Sequence, residues 1–578
     1  MNYGDFYRSF EPEPFYRERG WMIGGGRIGG KAKGLSFAHH VLEKNGLLED
    51  VHMPEYSFVV TTSAFDEFME LNGLWERLES LREHSDAPEL YRICAEASLP
   101  LSLEEPLEKI LSLIEVPISV RSSSTLEDDV NLSFAGKYAT VFSSNAGTKE
   151  ARRAELENAI KMVYASTYNA SAREYKRKHG IKWGGERMAV LIQPIEGRRY
   201  GSMFYPEMAG AAFSKVFRRP SPRIRKEDGV ARICFGLGTR TVDRSYARTF
   251  YLTNPNLRPE GTKPREIVTH SQEHFDYVDL DERKFSSLHI SKHVREVLKK
   301  HKMASAYLEW FSENSFHWIH TDRGNLVMPR PVFTFSELPS RCPKLFSRLK
   351  ALLSLFEEEL QLPVDMEFAY EADSDRFTLV QLRPLSVYDD RGRVEIPETP
   401  PDEVILRGNR MVANGRLEGA RHIVYVDPDI YGKRPDFSDV ARAVGDVNDT
   451  MKDERYILVG PGRWGSSNPL LGVPVRYNEI SNSGCLAELG IPQKGMAPEL
   501  SYGTHFFLDL DGDNTLYLPV FEGEKDDVFN REWFDGHPWN KTGHPAVRLY
   551  EGFFDVLLDG ESEVGVVIDR SGGGKGEK

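Results

Sequence analysis

The segment 346–384 constrains this chain most. Phe346 to Leu360 (FSRLKALLSLFEEEL) repeats apolar residues at three- and four-residue spacing, which predicts an amphipathic helix. Two short apolar runs follow, Val364 to Tyr370 and Arg376 to Leu382. The turn-rich Asp373-Ser374-Asp375 between them predicts a β-hairpin. A helix feeding a hairpin buries both apolar faces only in a mixed α/β architecture. Polar residues interrupt the runs: Asp365 and Glu367 on the first strand, Gln381 and Arg383 on the second. Side chains alternate across a strand, so each pair shares a face, and the hairpin can bring all four together. Carboxylate and amide oxygens at that spacing suit Mg²⁺, which keeps phosphate oxygens and waters as its other ligands. A solvent-facing polar stripe would use the same residues.

Two further segments carry phosphate chemistry. Gly24 to Gly34 (GGGRIGGKAKG) lets the backbone approach a ligand closely, and Lys31 supplies a mobile point charge. The spacing is not that of a Walker A loop, and a turn before the helix at 35–45 is an equally good reading. Val120-Arg121-Ser122-Ser123-Ser124-Thr125 follows a strand predicted at Ile118 to Val120. It precedes Glu127, Asp128 and the run Ser133-Phe134-Ala135-Gly136-Lys137. An arginine leaving a strand into a hydroxyl-rich loop can grip a polyphosphate, though SerSerThr before GluAsp can also start a helix. Other expected elements are a strand at 56–61, a helix from Ser63 (as N-cap) to Leu71, and one long helix from Glu150 to His179. Strands are expected at 188–193 and 210–216.

Taken in order, GGK, VRSSS with SFAGK, the MAVLIQ strand, a GLG turn and DMEF with LVQLRP resemble one family. It is that of phosphoenolpyruvate synthase and pyruvate phosphate dikinase, over residues 20 to 388. The resemblance implies an ATP-grasp nucleotide-binding module with two lobes, residues 21–185 and 186–388. It implies that Lys31 and Arg121 bind ATP phosphates and that Gly136 and Thr140 contact the nucleotide. Gln193 would lie at the adenine hinge. Glu367 and Gln381 would hold Mg²⁺, and Arg383 would stabilise the transferring phosphoryl group. The turn departs from the family's GLGE, reading Gly236-Leu237-Gly238-Thr239.

Residues 1–20 read as an irregular leader and 389–403 (DDRGRVEIPETPPDE) as a linker. A smaller α/β domain, swivelling-like or acceptor-binding, is expected at 404–570, then a disordered tail at 571–578. About 190 residues follow Arg383. A pyruvate barrel alone takes about 250, so pyruvate is not the expected acceptor on this chain. The family's phosphohistidine lies in a Gly-Gly-x-Thr-x-His context, which Gly503-Thr504-His505 approaches. His505 is either that histidine or a structural one at a strand start. Gly460-Pro461-Gly462-Arg463-Trp464-Gly465-Ser466 reads equally as an anion-binding nest and as a rigid turn in which Trp464 packs on Arg463.

A net charge of −14 argues against a dedicated nucleic-acid binder, despite the basic run at 215–226. Four scattered cysteines give neither a zinc nor a disulfide framework. With no signal-like or membrane-spanning run, a cytoplasmic protein is expected. The expected function is ATP- and Mg²⁺-dependent phosphotransfer, catalysed by Lys31 and Arg383 and relayed through His505, to an unidentified acceptor. The alternatives are a nucleotide-binding regulator or scaffold without turnover, and one subunit of a split enzyme.

Overall fold

The computed structural model describes residues 5–571 except 81–86, 127–136, 179, 182–183, 217–222, 243–246, 259–260, 262, 386–393, 434–435, 452–453, 467–468 and 492–514. The chain divides into two compact units. The first holds residues 1–216 and 227–386, the second 217–226 and 387–578.

The first unit is built on two five-stranded sheets. In the first sheet the order is Met22–Ile23, Phe58–Val60, Met188–Pro194, Ile118–Ser124, Thr140–Ser143. In the second it is Arg248–Tyr251, Val230–Phe235, Met208–Phe213, Val364–Glu371, Arg376–Pro384, with every neighbour antiparallel. The Met188–Pro194 strand, expected in the second lobe, pairs with Phe58–Val60 and Ile118–Ser124 in the first sheet. Two smaller sheets complete the unit.

The Gly29–Lys44 helix is wedged between the two sheets. A Cβ on Gly29 (φ +76°) would lie 1.6 Å from the Ser123 carbonyl oxygen. One on Gly34 would lie 2.0 Å from that of Leu382. Only glycine lets this helix touch both sheets. Its other face enters a core shared with the second sheet and with the amphipathic Pro343–Leu360 helix.

Several expectations need revision. The leader is ordered from Asp5: helices Asp5–Ser9 and Glu13–Glu18 pack on the wedged helix. Tyr16 is fully buried and donates to the Ala32 carbonyl at 2.7 Å, and Tyr7 and Phe10 meet Phe37 edge-on. Thr61, not Ser63, precedes the Thr62–Leu71 helix, and the Ser63 hydroxyl donates to the Gly25 carbonyl. The long helix is two, Lys149–Ser166 and Ala170–Lys178. Asn169 at the break accepts from Ala172 N and donates to Lys137 O, so it ties down a neighbouring segment as it caps the second helix.

The second unit holds one large sheet. Its first four strands in order are Leu516–Phe521, Ser483–Gly490, Tyr456–Pro461 and Gly415–Val426, all parallel. The Phe437–Thr450 helix connects the last two. Antiparallel strands Val547–Asp559, Val564–Asp569 and Val404–Gly408 extend the sheet. Val394, expected in the linker, is buried with Leu557, Val566 and Ile568, so apolar contact recruits the end of that segment into this unit. No helix among the described residues is long and apolar enough to cross a membrane. The tail from 572 lies outside the described residues.

Candidate functional site

The site forms where the wedged helix and the two sheets meet. The helix starts at Gly29 with no side chain capping its N-terminal residue, so its positive end is available to an anion. Lys31, in the first turn and buried, donates to the Ser122 hydroxyl at 3.2 Å. Ser123 ties helix to strand: its hydroxyl accepts from Ala32 N and donates to Ile28 O. The strand runs on to Ser124, so the hydroxyl run is β structure and not a helix start.

Arg121 lies on that strand, two residues from Ser119 and on the same face. Its Nη2 donates to Glu367 Oε2 and to Gln381 Oε1, both at 2.6 Å. Glu367 and Gln381 sit directly opposite each other on the hairpin, and Asp365 opposite Arg383. Arg383 grips Asp365 through Nε and Nη2 at 2.6–2.7 Å, a buried bidentate pair. Thr140, opposite Arg121 on the neighbouring strand, is exposed. Gln193, opposite Ser119, shares Arg121's face. It is 1% exposed, donates to the Ser57 hydroxyl at 3.0 Å, and leaves its Oε1 without a hydrogen-bond partner among the described residues. Gly136 and His505 lie outside the described residues.

The structure thus brings Arg121, Glu367 and Gln381 into direct contact, and it holds Lys31 on the same strand through Ser122, the next residue after Arg121. The two oxygens converge on one cationic atom, as ligands of a metal must. The donor set, one carboxylate and one amide oxygen, is hard and fits Mg²⁺.

Sequence reasoning missed two supporting carboxylates and the pairing of a third. Glu186, 1% exposed, receives hydrogen bonds from Ser124 and Tyr138 and pairs with Lys176 at 2.5 Å. It anchors the end of the Arg121 strand. Burial, then the Glu186 charge, pushes the Tyr138 phenol well up, so the tyrosine stays a donor. Asp276 accepts from Thr239 and, through both oxygens, from Arg240. A neighbouring strand therefore brings a carboxylate to the GLGT turn. Asp365 was visible as a carboxylate, but no local signal marked it as the partner of Arg383.

Glu207, Glu371 and Asp373 also cluster at metal-like spacing. The oxygens of that cluster are already engaged within the protein. Arg198 contacts Glu371 and both oxygens of Asp373, while Tyr307 and the Ala372 N–H donate to Glu207. Burial, reinforced by the Glu207 charge, pushes the Glu371 carboxyl up to about 7.

In the second unit, the Gly460–Gly465 turn does not form a nest. Gly462 N donates to Leu489 O, Arg463 N to Leu471 O, Trp464 N to Glu488 Oε1 and Gly465 N to Val473 O. Trp464 is fully buried, packs against Gly460 and donates its indole N–H to Ala487 O. Glu488, with no exposed surface, also accepts from the Tyr517 hydroxyl at 2.8 Å.

The family described as pyruvate phosphate dikinase, AMP/ATP-binding domain, matches residues 26–403. Phosphoenolpyruvate synthase of Aeropyrum pernix is 24% identical over 426 residues, 68% of this chain and 46% of the relative. That of Deinococcus radiodurans is 25% identical over 260 residues, 40% of this chain and 30% of the relative. A probable phosphoenolpyruvate synthase of Methanothermobacter thermautotrophicus is 30% identical over 166 residues, 25% and 23% of the two chains. The matched stretch spans less than half the length of each of these relatives.

Proposed function

Because the chain belongs to the pyruvate phosphate dikinase AMP/ATP-binding family, we propose that it is an ATP- and Mg²⁺-dependent phosphotransferase of the dikinase type. In this reading the first unit is a two-lobed ATP-grasp module and the second an acceptor or swivelling domain. The observation that carries it is the meeting of Arg121 with Glu367 and Gln381, on the strand to which Lys31 is tied through Ser122.

Phosphoryl transfer needs positioning and charge neutralisation more than covalent help from the protein. Lys31 and the helix N-terminus bind the phosphate chain, and Arg121 joins them as a forked donor. Gln193 offers its open amide oxygen to the purine amino group. Glu367 and Gln381 hold Mg²⁺, which supplies charge neutralisation at the phosphate oxygens when bound. Asp365 keeps the Arg383 guanidinium oriented, so Arg383 meets the charge that develops on the transferring group without reorganising. His505 is the candidate relay to the acceptor.

The test is incubation of wild type, Arg383→Ala and His505→Ala with β- or γ-labelled ATP and Mg²⁺. Arg383→Ala should lose turnover by about 10³ while nucleotide affinity changes only a few-fold. Acid-labile label on the wild type, absent from both variants, supports the His505 relay. AMP or ADP production without protein label assigns direct transfer. Binding without turnover, even with cell extract as acceptor, would overturn the enzyme in favour of a nucleotide-responsive regulator.

A further inference from the structure

Arg121 occupies the point on which the proposed metal ligands converge. One atom of its guanidinium touches both the Glu367 carboxylate and the Gln381 amide oxygen at 2.6 Å. The arginine side chain is 9% exposed and Glu367 28%. The arginine comes from the other sheet, 246 residues away in sequence from Glu367. Its contact with the hairpin is tertiary and can break without disturbing either sheet. The neighbouring pair differs. Arg383 and Asp365 face each other across one hairpin, and strand pairing holds them together. Arg121, unlike Arg383, also carries a buried nitrogen, Nε, with no hydrogen-bond partner among the described residues, so its present setting does not use the whole fork.

We propose that Arg121 is a resident surrogate for the metal, and that it bars free divalent cations from Glu367 and Gln381 until a nucleotide arrives. The inference rests on the assignment of these two residues as metal ligands. The electrostatics dictate the order of loading. Without nucleotide, Arg121 and Glu367 form a neutral pair. A divalent cation entering beside them would leave two cationic groups against one carboxylate in a largely buried space. That is costly where solvent screening is weak. A nucleotide polyphosphate reverses the balance. Its oxygens draw the Arg121 fork away, including the unused Nε, and vacate the two oxygens for the cation the nucleotide carries. Metal and nucleotide therefore load as one complex, and Arg121 serves two anions in turn.

The experiment measures Mn²⁺ binding by electron paramagnetic resonance, with and without ATP. It uses the full chain as wild type, Arg121→Met, Arg121→Lys, Glu367→Gln and the Arg121→Met/Glu367→Gln double variant. Wild type should bind Mn²⁺ with ATP but show no site for Mn²⁺ alone at millimolar concentration. Arg121→Met should gain a nucleotide-independent site at least tenfold tighter, and Glu367→Gln in the same chain should abolish it. Arg121→Lys keeps the charge and should still exclude the free ion. A nucleotide-free Mn²⁺ site on wild type that Glu367→Gln removes would overturn the proposal, and this arm needs no Arg121 variant to fold. So would a folded Arg121→Met that gains no site. If Glu367→Gln leaves Mn²⁺–ATP binding on wild type unchanged, the assignment of the metal ligands itself fails, a distinct result.

Discussion

The two glycine-rich, arginine-bearing segments of this chain look alike as sequence and behave oppositely as structure. At 24–34 the glycines bring a helix against two sheets. Gly29 meets Ser123 and Gly34 meets Leu382, and the first turn of the helix carries Lys31 to Ser122, next to Arg121 in the chain. At 460–465 the glycines close a turn upon itself. Gly462 and Gly472 bridge, and four successive backbone N–H groups are bonded inside the unit. The first segment keeps donors at the edge of a ligand site, while the second uses its donors to lock Trp464 over Glu488. Glycine content signals close backbone approach, and only the destination of the N–H groups separates a binding loop from a structural one.

The sharpest way to break this comparison is to add one methyl group to each segment. Gly29→Ala puts a Cβ 1.6 Å from the Ser123 oxygen, and Gly462→Ala puts one 2.1 Å from the Leu471 oxygen, both at a positive φ. Both should destabilise their own unit by about 3 kcal/mol or more. Only Gly29→Ala should weaken ATP binding, by at least about 100-fold if the helix shifts by an ångström. Calorimetry for ATP, beside thermal unfolding, checks both. Equal loss of ATP binding in the two variants would refute the division of roles.

A smaller effect sharpens the structural side. Glu488→Gln replaces an acceptor of two hydrogen bonds by a group that presents donors to donors. The second unit should lose about 2 kcal/mol, with the first unit's unfolding and ATP affinity unchanged.

A pH-dependent effect separates the proposed site carboxylates from the Glu207, Glu371 and Asp373 cluster. Glu371 has its folded pKa raised from 4.5 to about 7 by burial, with the Glu207 charge adding to it. A raised carboxyl pKa contributes stability that is fully present below the unfolded value and is lost as pH rises through the folded one. The first unit should therefore soften between about pH 4.5 and 7 by at most about 3 kcal/mol, and Glu371→Gln should flatten that slope. Thermal midpoints across this range, with ATP affinity as the control, check it. A wild-type slope that Glu371→Gln leaves intact assigns the effect to another group.

Much of the first site was legible. The hairpin period placed Asp365 with Glu367, and Gln381 with Arg383, on shared faces of facing strands, but it is a bulge between Glu367 and Phe368, which no local signal marked, that sets Glu367 opposite Gln381. The strand at Ile118 was legible too, but its length was not. Ser122 to Ser124 are strand because Met188–Pro194 pairs with them, against a local composition that also suits a helix start. The N-terminal segment defeated sequence reading for a similar reason. Its helices are five and six residues long, too short to show a period, and packing on the Gly29–Lys44 helix orders them.

By itself, the sequence determined the periodic elements, the shared faces of the polar residues along each hairpin strand, and the identity and order of the groups able to meet a phosphate. Each follows from spacing along one short stretch of chain. The tertiary structure alone decided which charge faces which. Arg121 reaches Glu367 across 246 residues, Glu186 collects Ser124, Tyr138 and Lys176, and Asp276 supplies the carboxylate at a turn that lacks one. Alternation fixes the face a side chain takes, but a partner is fixed only when two sheets close on one helix. The burial that closure brings makes each unpaired charge too costly to leave.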